Sequence, residues 1–484
     1  MEIKTRQFKA VARQELNNPN SRIFLDLLPV VLSSLRQLAM ASFPDPEAAQ
    51  RLGGIIRAEA LSRLPELLEQ FEKNALKAGA KVFWAGDAHA ANAYILELAR
   101  NNQVDFVTKG KSMVTEEMGI NEVLEKNGIE VYETDLGEFI AQLLKRPPFH
   151  IVGPAANVPP PEIRDIFIEK GIMENPTVDP RELGYAARLY LRDRFSRMKM
   201  GITGINFAVA ETGTIINVEN EGNIRFNKSS PKIQVSVMTL EKVIPNLKDA
   251  MHMLRLVSRN CTGQHIGAYA SMDTGPRKKD EMDGPDELHI IILDNGRTRL
   301  YQNVKTRQAL QCIRCGGCLN ICPVFGIIGG FPYGWVYSGP MGQLLTPLLL
   351  GLSGCHDHIW ACTGCGACKA NCPAGIDHPR VLHYLREMEV QGEKSLDAVP
   401  PPFTEDMAYK AFSVIASNPT LWKLTSKIIR TVLNRNAQDG KLSKGPGPLE
   451  TWLAGRDFPQ MGDKTFHERW KEIENNPPKA VLEN

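Results

Sequence analysis

Two stretches of the chain, CIRCGGCLNICP at residues 312–323 and CTGCGACKANCP at residues 362–373, repeat the spacing C-x2-C-x2-C-x3-C-P. They hold eight of the ten cysteines, and nine of the ten lie between Cys312 and Cys372. Ten cysteines in 484 residues are too few for a disulfide scaffold, so their clustering indicates metal ligation or redox chemistry. The spacing therefore predicts a compact metal-binding segment in the second half of the chain.

The repeated spacing suits two iron–sulfur clusters. Three thiolates two residues apart can wrap three iron corners of a cubane from one tight loop, and the fourth cysteine points at the other cluster, as in bacterial two-cluster ferredoxins. We therefore predict two 4Fe–4S clusters with crossed ligand sets. The first set is Cys312, Cys315, Cys318 and Cys372, and the second is Cys362, Cys365, Cys368 and Cys322.

Zinc is the alternative for these thiolates, but two paired Cys-x-x-Cys elements would satisfy a zinc ion without a second four-cysteine run. The glycines within the runs suit loops that need positive φ or a close approach of backbone to sulfide: Gly316, Gly317, Gly364 and Gly366. The two remaining cysteines, Cys261 and Cys355, are predicted to be structural, because the eight cluster corners are already supplied.

The 39 residues between Cys322 and Cys362 exceed what a minimal ferredoxin needs (362 − 322 − 1 = 39). They include the aromatic run FPYGWVY at residues 331–337 and an apolar, helix-like stretch at residues 343–352. This insert resembles the helical ferredoxin domains of the iron–sulfur subunits of fumarate reductase and succinate dehydrogenase. We expect it to pack over the clusters; contact with a membrane or a quinone is the alternative.

Short apolar strands alternate with helices between residues 61 and 300. The predicted strands lie near residues 81–85, 104–108, 129–134, 205–218, 233–238 and 288–293. This alternation predicts an α/β domain with a mostly parallel sheet covered on both faces. Around it we predict an N-terminal helical segment at residues 1–60, interrupted by Pro29, a ferredoxin-type domain at residues 301–390, and a helical C-terminal extension at residues 391–484.

Charged residues in the α/β segment mark candidate ligand sites. Lys109 and Lys111 follow a predicted strand, at the edge where open α/β sheets bind ligands, and could attract an anion; a solvated turn explains them equally well. Glu211 on a tight turn and Arg277 before an acidic loop are further candidates, with ordinary surface as the alternative. The chain has neither a phosphate loop, since Asp105 stands where one needs glycine, nor a G-x-G-x-x-G dinucleotide fingerprint.

Composition excludes several classes of protein. The net charge is +2 and the mean hydropathy is −0.23, which favours no nucleic-acid or anionic-membrane partner. The first residues carry no secretory signal, and the longest nearly apolar stretch, residues 341–352, is too short to cross a bilayer. We therefore expect a cytoplasmic protein with no transmembrane segment.

Five motifs resemble the lactate utilization (LUD) domain, and with the two cysteine runs the chain resembles the lactate utilization protein B family. They lie at residues 111–117, 133–138, 207–214, 284–289 and 294–297. The resemblance implies a fold like that of CoA-transferases and glucosamine-phosphate isomerases at residues 61–300. It also implies a role in oxidising L-lactate to pyruvate together with lactate utilization proteins A and C.

Three functions compete. The leading one is an electron-transfer subunit, because two adjacent one-electron centres suit a two-electron donor and the chain has no fingerprint for a hydride-accepting cofactor. In the second, the LUD domain itself binds and oxidises lactate or another 2-hydroxy acid, with Lys109, Lys111 or Arg277 holding the carboxylate. The third is a cluster-based redox sensor, which no DNA-binding pattern supports. The sequence assigns no catalytic residue and names no downstream electron acceptor.

Overall fold

In the computed structural model, which describes residues 3–445, 448–453 and 455–475, the chain forms two compact units. The first spans Met1–Pro400 and the second Pro401–Asn484. Each is described separately below.

The centre of the first unit is a six-stranded parallel sheet. Its strands are β1 (Lys81–Ala85), β2 (Phe106–Lys109), β3 (Glu130–Glu133), β4 (Met200–Gly204), β7 (Ile233–Thr239) and β10 (Glu287–Leu293). They lie in the order β1-β10-β7-β4-β2-β3, and each neighbouring pair is parallel. The predicted mostly parallel sheet is confirmed.

Both faces of this sheet are covered, because successive strand residues point in opposite directions. In β10, Ile290 and Ile292 enter one hydrophobic core while Ile291 and Leu293 enter the other. The helices that supply the two cores include α3 (Pro46–Ser62), α4 (Leu64–Lys77) and α12 (Leu247–Cys261) on the first face, and α5 (Ala88–Asn101), α6 (Met113–Met118) and α7 (Ile120–Lys126) on the second.

A second sheet of four strands packs into the first of these cores. Its strands are β5 (Phe207–Val209), β6 (Thr214–Glu219), β8 (Val243–Ile244) and β9 (Tyr269–Asp273), in the order β8-β5-β6-β9. The predicted β-rich stretch at residues 205–218 is therefore a hairpin of β5 and β6, paired antiparallel. The turn Leu240–Lys242 connects β7 of the main sheet to β8, and so joins the two sheets.

Five further helices belong to the α/β segment. They are α8 (Leu136–Leu143), α9 (Pro160–Glu169), α10 (Pro180–Arg197), α11 (Asn223–Ser229) and α13 (Arg297–Gln302). Three of them, α8, α9 and α10, form a small apolar cluster of their own around Phe139 and Phe167.

The N-terminal helices are α1 (Phe8–Leu16) and α2 (Pro19–Met40). The prediction that Pro29 interrupts this region is wrong, because α2 continues through Pro29 as a single helix of 22 residues. A proline within a helix removes one backbone donor without necessarily ending the helix. Among the described residues, α2 alone is long and apolar enough to cross a membrane, and 18% of its apolar window is buried.

The cysteine-rich segment contributes six short or medium helices. They are α14 (Gly317–Asn320), α15 (Phe325–Ile328), α16 (Gly339–Leu350), α17 (His356–Trp360), α18 (Ala367–Asn371) and α19 (His378–Gln391). Leu344, Leu345 and Leu348 of α16 are buried in the same core as the α/β sheet. The α/β segment and the cysteine-rich segment thus share one core.

The second unit is mainly helical. It contains α20 (Phe403–Ser417), α21 (Pro419–Arg435), α22 (Pro448–Leu453), α23 (Phe466–Asn475) and a small antiparallel pair, β11 (Lys441–Leu442) with β12 (Phe458–Pro459). Asn18 and Asn418 cap α2 and α21 in the same way: each side chain accepts backbone N–H groups from the first helical turn.

Candidate iron–sulfur site and adjoining cleft

The two cysteine runs fold into loops of the same shape. In the second run, Gly364 (φ 71°) and Gly366 (φ 74°) take the left-handed conformation that favours glycine, and Gly366 is the N-cap of α18. In the first run, Gly316 (φ 78°) is likewise the N-cap of α14, while Arg314 (φ 61°) occupies the position equivalent to Gly364. A bulky side chain thus sits in a backbone conformation that it rarely adopts.

Both loops aim backbone donors at sulfur. The amide of Arg314 lies 3.4 Å from Cys312 Sγ, and the amide of Gly364 lies 3.4 Å from Cys362 Sγ. In both runs the donor is the amide two residues after the first cysteine, so the repeated sequence forms the same hydrogen bond twice. Such donors stabilise sulfur that carries negative charge, as a cluster thiolate does.

Asn260, at the end of α12, brings the α/β segment to the first loop. Its Nδ2 donates to Cys315 Sγ at 3.3 Å. A Cβ built on Gly317 would lie 2.1 Å from the same Nδ2, so Gly317 is needed for this close approach rather than for a positive φ. Sequence reasoning missed Asn260, because no local pattern links it to Cys315, which lies 55 positions further along the chain.

The thiols fall into two groups, as their mutual electrostatic effects show. Burial raises the pKa of the Cys318 thiol, and the charges of three other cysteines raise it further: Cys312, Cys315 and Cys372. Burial likewise raises the pKa of Cys368 to about 12, with added effects from Cys322, Cys362 and Cys365. Cys318 and Cys368 thus each lie in electrostatic range of the other three cysteines of one predicted set, and the crossed scheme itself stays a prediction.

A zinc ion and a cubane cluster demand different spacings of their four thiolates. Four sulfurs on one zinc ion, each about 2.3 Å from the metal, would crowd within about 4 Å of one another. Among the residues that the structure describes, no three Cys, His, Asp or Glu side chains form a group able to hold a single metal ion. A cubane places iron and sulfide between its ligands and so accepts a wider set of thiolates.

The two groups differ in exposure. Cys365 is exposed, and so are its neighbours Thr363 and Gly364. In the other group Cys372 is buried, and none of the four thiol-bearing residues is exposed. The first group therefore lies deeper in the protein, and the second reaches the surface.

A buried charge network ties the first loop to the sheet. Glu241, in the turn after β7, accepts a hydrogen bond from Arg314 Nη2 at 2.8 Å, and Arg297 Nε lies 3.8 Å away. Burial alone would raise the pKa of Glu241, but Arg297 and Arg314 hold it below its ordinary value. Arg297 in turn pairs with Glu117 of α6, to which Tyr337 of the insert donates a hydrogen bond.

A cleft adjoins the first group of thiols. Its cavity of about 220 Å³ is lined by Cys315 from the loop and by residues of the α/β segment, among them Lys111, Lys242, Ser258 and Cys261. Burial lowers the pKa of Lys242 to about 7, and the positive charge of Arg314 is the second largest cause. The cleft therefore places polar groups of the α/β segment beside a cysteine of the first set.

The four residues predicted for an anion or substrate site are not brought together in the cleft. Lys109 is fully buried, with Nζ 2.6 Å from Glu116 Oε1 and 2.7 Å from Glu133 Oε1. Lys111 does line the cleft, but its Nζ lies 3.1 Å from Asp135.

The other two candidates lie outside the cleft. Glu211 accepts a hydrogen bond from the backbone amide of Leu247 at 3.2 Å, and Arg277 pairs with Asp286 on the surface. Of the four, Lys111 alone borders the cavity.

The two cysteines outside the runs are both buried. Burial raises the pKa of Cys261 to about 12 and that of Cys355 to about 12. Because burial raises the pKa of Cys368 to about 12 as well, this shift does not separate the two cysteines from the predicted ligands, and their structural role stays a prediction.

Three family models match successive parts of the chain. A LUD domain matches residues 68–293, a 4Fe-4S dicluster domain residues 308–376, and a "Lactate utilisation protein B, C-terminal" domain residues 389–475. Their order is the order of the motifs in the sequence, and the predicted resemblance is confirmed.

Curated relatives match most of the chain. Proteins named lactate utilization protein B are similar to it: that of Bacillus velezensis is 40% identical over 87% of both chains, and that of Bacillus subtilis (strain 168) is 38% identical over 98% of both. A solved DUF162 family protein from Deinococcus radiodurans covers 48% of this chain and 98% of its own, with 15% identity and a TM-score of 0.28, too low to define the fold.

Proposed function

The chain belongs to the lactate utilization protein B family, and from that premise we propose that it is the iron–sulfur electron-transfer subunit in the oxidation of L-lactate to pyruvate. The reaction releases two electrons and two protons. A 4Fe–4S cluster, when bound, carries one electron, so two clusters match one molecule of lactate. Family membership and the dicluster domain support a role in lactate utilization.

The proposed ligands are the two crossed sets. Cys312, Cys315, Cys318 and Cys372 would hold the first cluster, and Cys362, Cys365, Cys368 and Cys322 the second. The electrostatic grouping of the thiols and the amide donors at Cys312 and Cys362 support this assignment. Anaerobically purified protein should contain about eight irons and eight acid-labile sulfides. Stoichiometric zinc without sulfide would overturn the assignment.

The observation that carries the proposal is the contrast between the two thiol groups. Cys315 of the first group lines the cleft of the α/β segment, while Cys365 of the second group is exposed. A carrier needs one centre near its electron source and one near its acceptor. This arrangement supports entry of electrons at the cleft side and exit at the exposed loop.

The electron source is proposed to lie in companion proteins. The family resemblance implies lactate utilization proteins A and C as partners, and a CoA-transferase-like fold for the LUD domain. The chain itself has no dinucleotide fingerprint that would mark a hydride acceptor. We therefore propose that lactate is oxidised in the complex rather than by this chain alone.

Anaerobic bleaching of the cluster absorbance tests this role. L-lactate should bleach the full-length protein when proteins A and C are present, and should leave it unchanged when they are absent. The Cys315→Ser variant, which lacks one ligand of the first set, should lose turnover in the complex. Bleaching by lactate without the companions would overturn the relay and move lactate oxidation into the α/β segment. Clusters that stay oxidised with lactate and both companions present would exclude the relay altogether.

A further inference from the structure

Arg36 of α2 is linked to two cysteines through two side-chain amides. Its Nε donates to Asn260 Oδ1 at 2.6 Å, and its Nη2 donates to Gln50 Oε1 at 3.2 Å. Asn260 Nδ2 donates in turn to Cys315 Sγ at 3.3 Å. Gln50 Nε2 donates to the carbonyl of Cys372 at 3.1 Å. One guanidinium is therefore connected, through one amide on each side, to a cysteine of the first run and to a cysteine of the second. We call Arg36, Gln50 and Asn260 the Arg36 network.

The guanidinium fixes which way each amide points. Arginine has only hydrogen-bond donors, so the amide oxygens of Asn260 and Gln50 face Arg36 and their NH2 groups point away from it. Both NH2 groups then meet the cysteine-rich segment, where that of Gln50 also donates to the carbonyl of Ala370 at 2.7 Å. Asn260 is buried, and Arg36 and Gln50 are half-buried. Arg36 thus turns a donor rather than an acceptor toward the sulfur of Cys315.

The positive charge of Arg36 is not cancelled by a neighbouring carboxylate. Its two side-chain acceptors are neutral amide oxygens, and within the described part of the chain no acidic side chain pairs with it. Burial lowers the pKa of Arg36, and the negative charge of Cys315 acts in the opposite direction, so the two side chains interact electrostatically. An arginine stays protonated in proteins. The first group of thiols therefore has a permanent, half-buried cation within electrostatic range.

Reduction of a bound 4Fe–4S cluster adds one negative charge to the site. Burial opposes this addition, because a low-dielectric interior disfavours charge, whereas donors to sulfur and nearby cations favour it. We propose that Arg36 is a positioning residue for the first cluster, which through Asn260 and Gln50 holds Cys315 and Cys372 together and raises the reduction potential of the cluster that they share. The inference rests on the proposed function, since it takes both cysteines as ligands of one cluster.

An anaerobic redox titration of the full-length, cluster-loaded protein, followed by electron paramagnetic resonance, tests this role. Arg36→Met should lower the equilibrium constant for reduction of the first cluster about tenfold, which is about 59 mV for a one-electron couple. Arg36→Lys keeps the charge and should lower that constant less. The matched control is Arg51→Met, which removes an exposed arginine of α3 that pairs with Glu47, and it should titrate as the wild type does.

Two further variants test whether both amides lead to the same cluster. Asn260→Ala removes the donor to Cys315 Sγ, and Gln50→Ala removes the donor to the carbonyl of Cys372. Both should lower the potential of the same reduction step. The Cys368→Ser protein, in which the first set of ligands is complete, identifies that step as the reduction of the first cluster.

A double variant separates positioning from charge alone. If Arg36 acts in part through Asn260, the shift in potential of the combined Arg36→Met and Asn260→Ala protein should be smaller than the sum of the two single shifts. Additive shifts would show that Arg36 acts by its charge alone, which would overturn the positioning role. Iron and acid-labile sulfide contents equal to those of the wild type show that each shift comes from an intact cluster.

The outcomes distinguish this inference from the electron relay. Unchanged potentials in Arg36→Met and Asn260→Ala would overturn the role of the Arg36 network even if lactate and the companions bleach the clusters. Shifts of Asn260→Ala and Gln50→Ala in different reduction steps would overturn it as well. The expected shifts, together with clusters that lactate and the companions never reduce, would preserve the role of the network and reject the relay.

Discussion

Arg314 Nη2 lies 2.8 Å from Glu241 Oε1, which joins the first cysteine loop to the turn that follows β7. The same guanidinium donates from Nη1 to the carbonyl of Cys312 at 3.0 Å. These two contacts hold Arg314 in the left-handed conformation that the equivalent Gly364 adopts freely. At this one position the first loop is thus held by a charge from the α/β segment, where the second loop has a glycine.

Loss of Glu241 should destabilise the protein strongly. Glu241→Ala leaves Arg314 buried without its carboxylate partner, while Arg297 keeps Glu117, and such a loss costs about 3–5 kcal/mol in the free energy of unfolding. Anaerobic urea titration followed by circular dichroism measures the effect. Glu66→Ala, which breaks an exposed pair with Arg63 on α4, is the matched control and should change little. Equal midpoints for the two variants would show that the buried network does not hold the loop.

The relationship between Arg314 and Glu241 also shows where sequence reasoning stops. The short apolar strands that alternate with helices and the C-x2-C-x2-C-x3-C-P spacing are local patterns, so the mostly parallel sheet and the cysteine loops could be predicted. Arg314 and Glu241 are 73 positions apart, and nothing in either local pattern marks them as partners.

Residues that act across the shared core were beyond prediction for the same reason. Asn260 gains its importance from its hydrogen bond to Cys315, which lies 55 positions along the chain. The predicted break at Pro29 failed for a different reason. The low helix propensity of proline predicts a break, but α2 continues through Pro29 as part of a long helix.

The crossed ligand scheme makes a specific prediction about cysteine variants. Cys318→Ser and Cys372→Ser should damage the same cluster, although 54 positions separate them (372 − 318), because both thiols belong to the first group. Cys322→Ser should instead match Cys368→Ser. Electron paramagnetic resonance of the reduced variants compares the losses. Matching spectra for Cys318→Ser and Cys322→Ser, with Cys372→Ser distinct, would contradict the crossed scheme.

Acid should destabilise the fold through its buried histidines. Burial lowers the pKa of three of them to about 4, against about 6.5 in an unfolded chain: His150, His358 and His378. Between these pKa values the unfolded chain binds more protons, so the free energy of unfolding falls as the pH drops from about 6.5 towards 4. At pH 5 each histidine should cost about 2 kcal/mol relative to pH 7.

A single variant isolates one histidine from the rest. His378 hydrogen-bonds the carbonyl of Ile376 through Nδ1 at 3.1 Å, a contact that an asparagine amide can reproduce. His378→Asn should therefore reduce the difference in stability between pH 7 and pH 5 by about 2 kcal/mol. His383→Asn, at an exposed position of α19, should leave that difference unchanged. The urea midpoints at the two pH values decide the comparison.

The difference in exposure between the two thiol groups predicts which cluster an oxidant reaches first. Cys365 and its neighbours Thr363 and Gly364 are exposed, whereas the group that includes Cys372 has no exposed member. An oxidant in solution must approach closely to take an electron, so the second cluster should bleach several-fold faster in ferricyanide. Cys318→Ser and Cys368→Ser provide the test, since they remove equivalent ligands from the two sets. Cys318→Ser, which retains the second cluster, should bleach faster than Cys368→Ser in anaerobic stopped-flow absorbance. Equal rates, or the reverse order, would show that the exposed loop is not the exit for electrons.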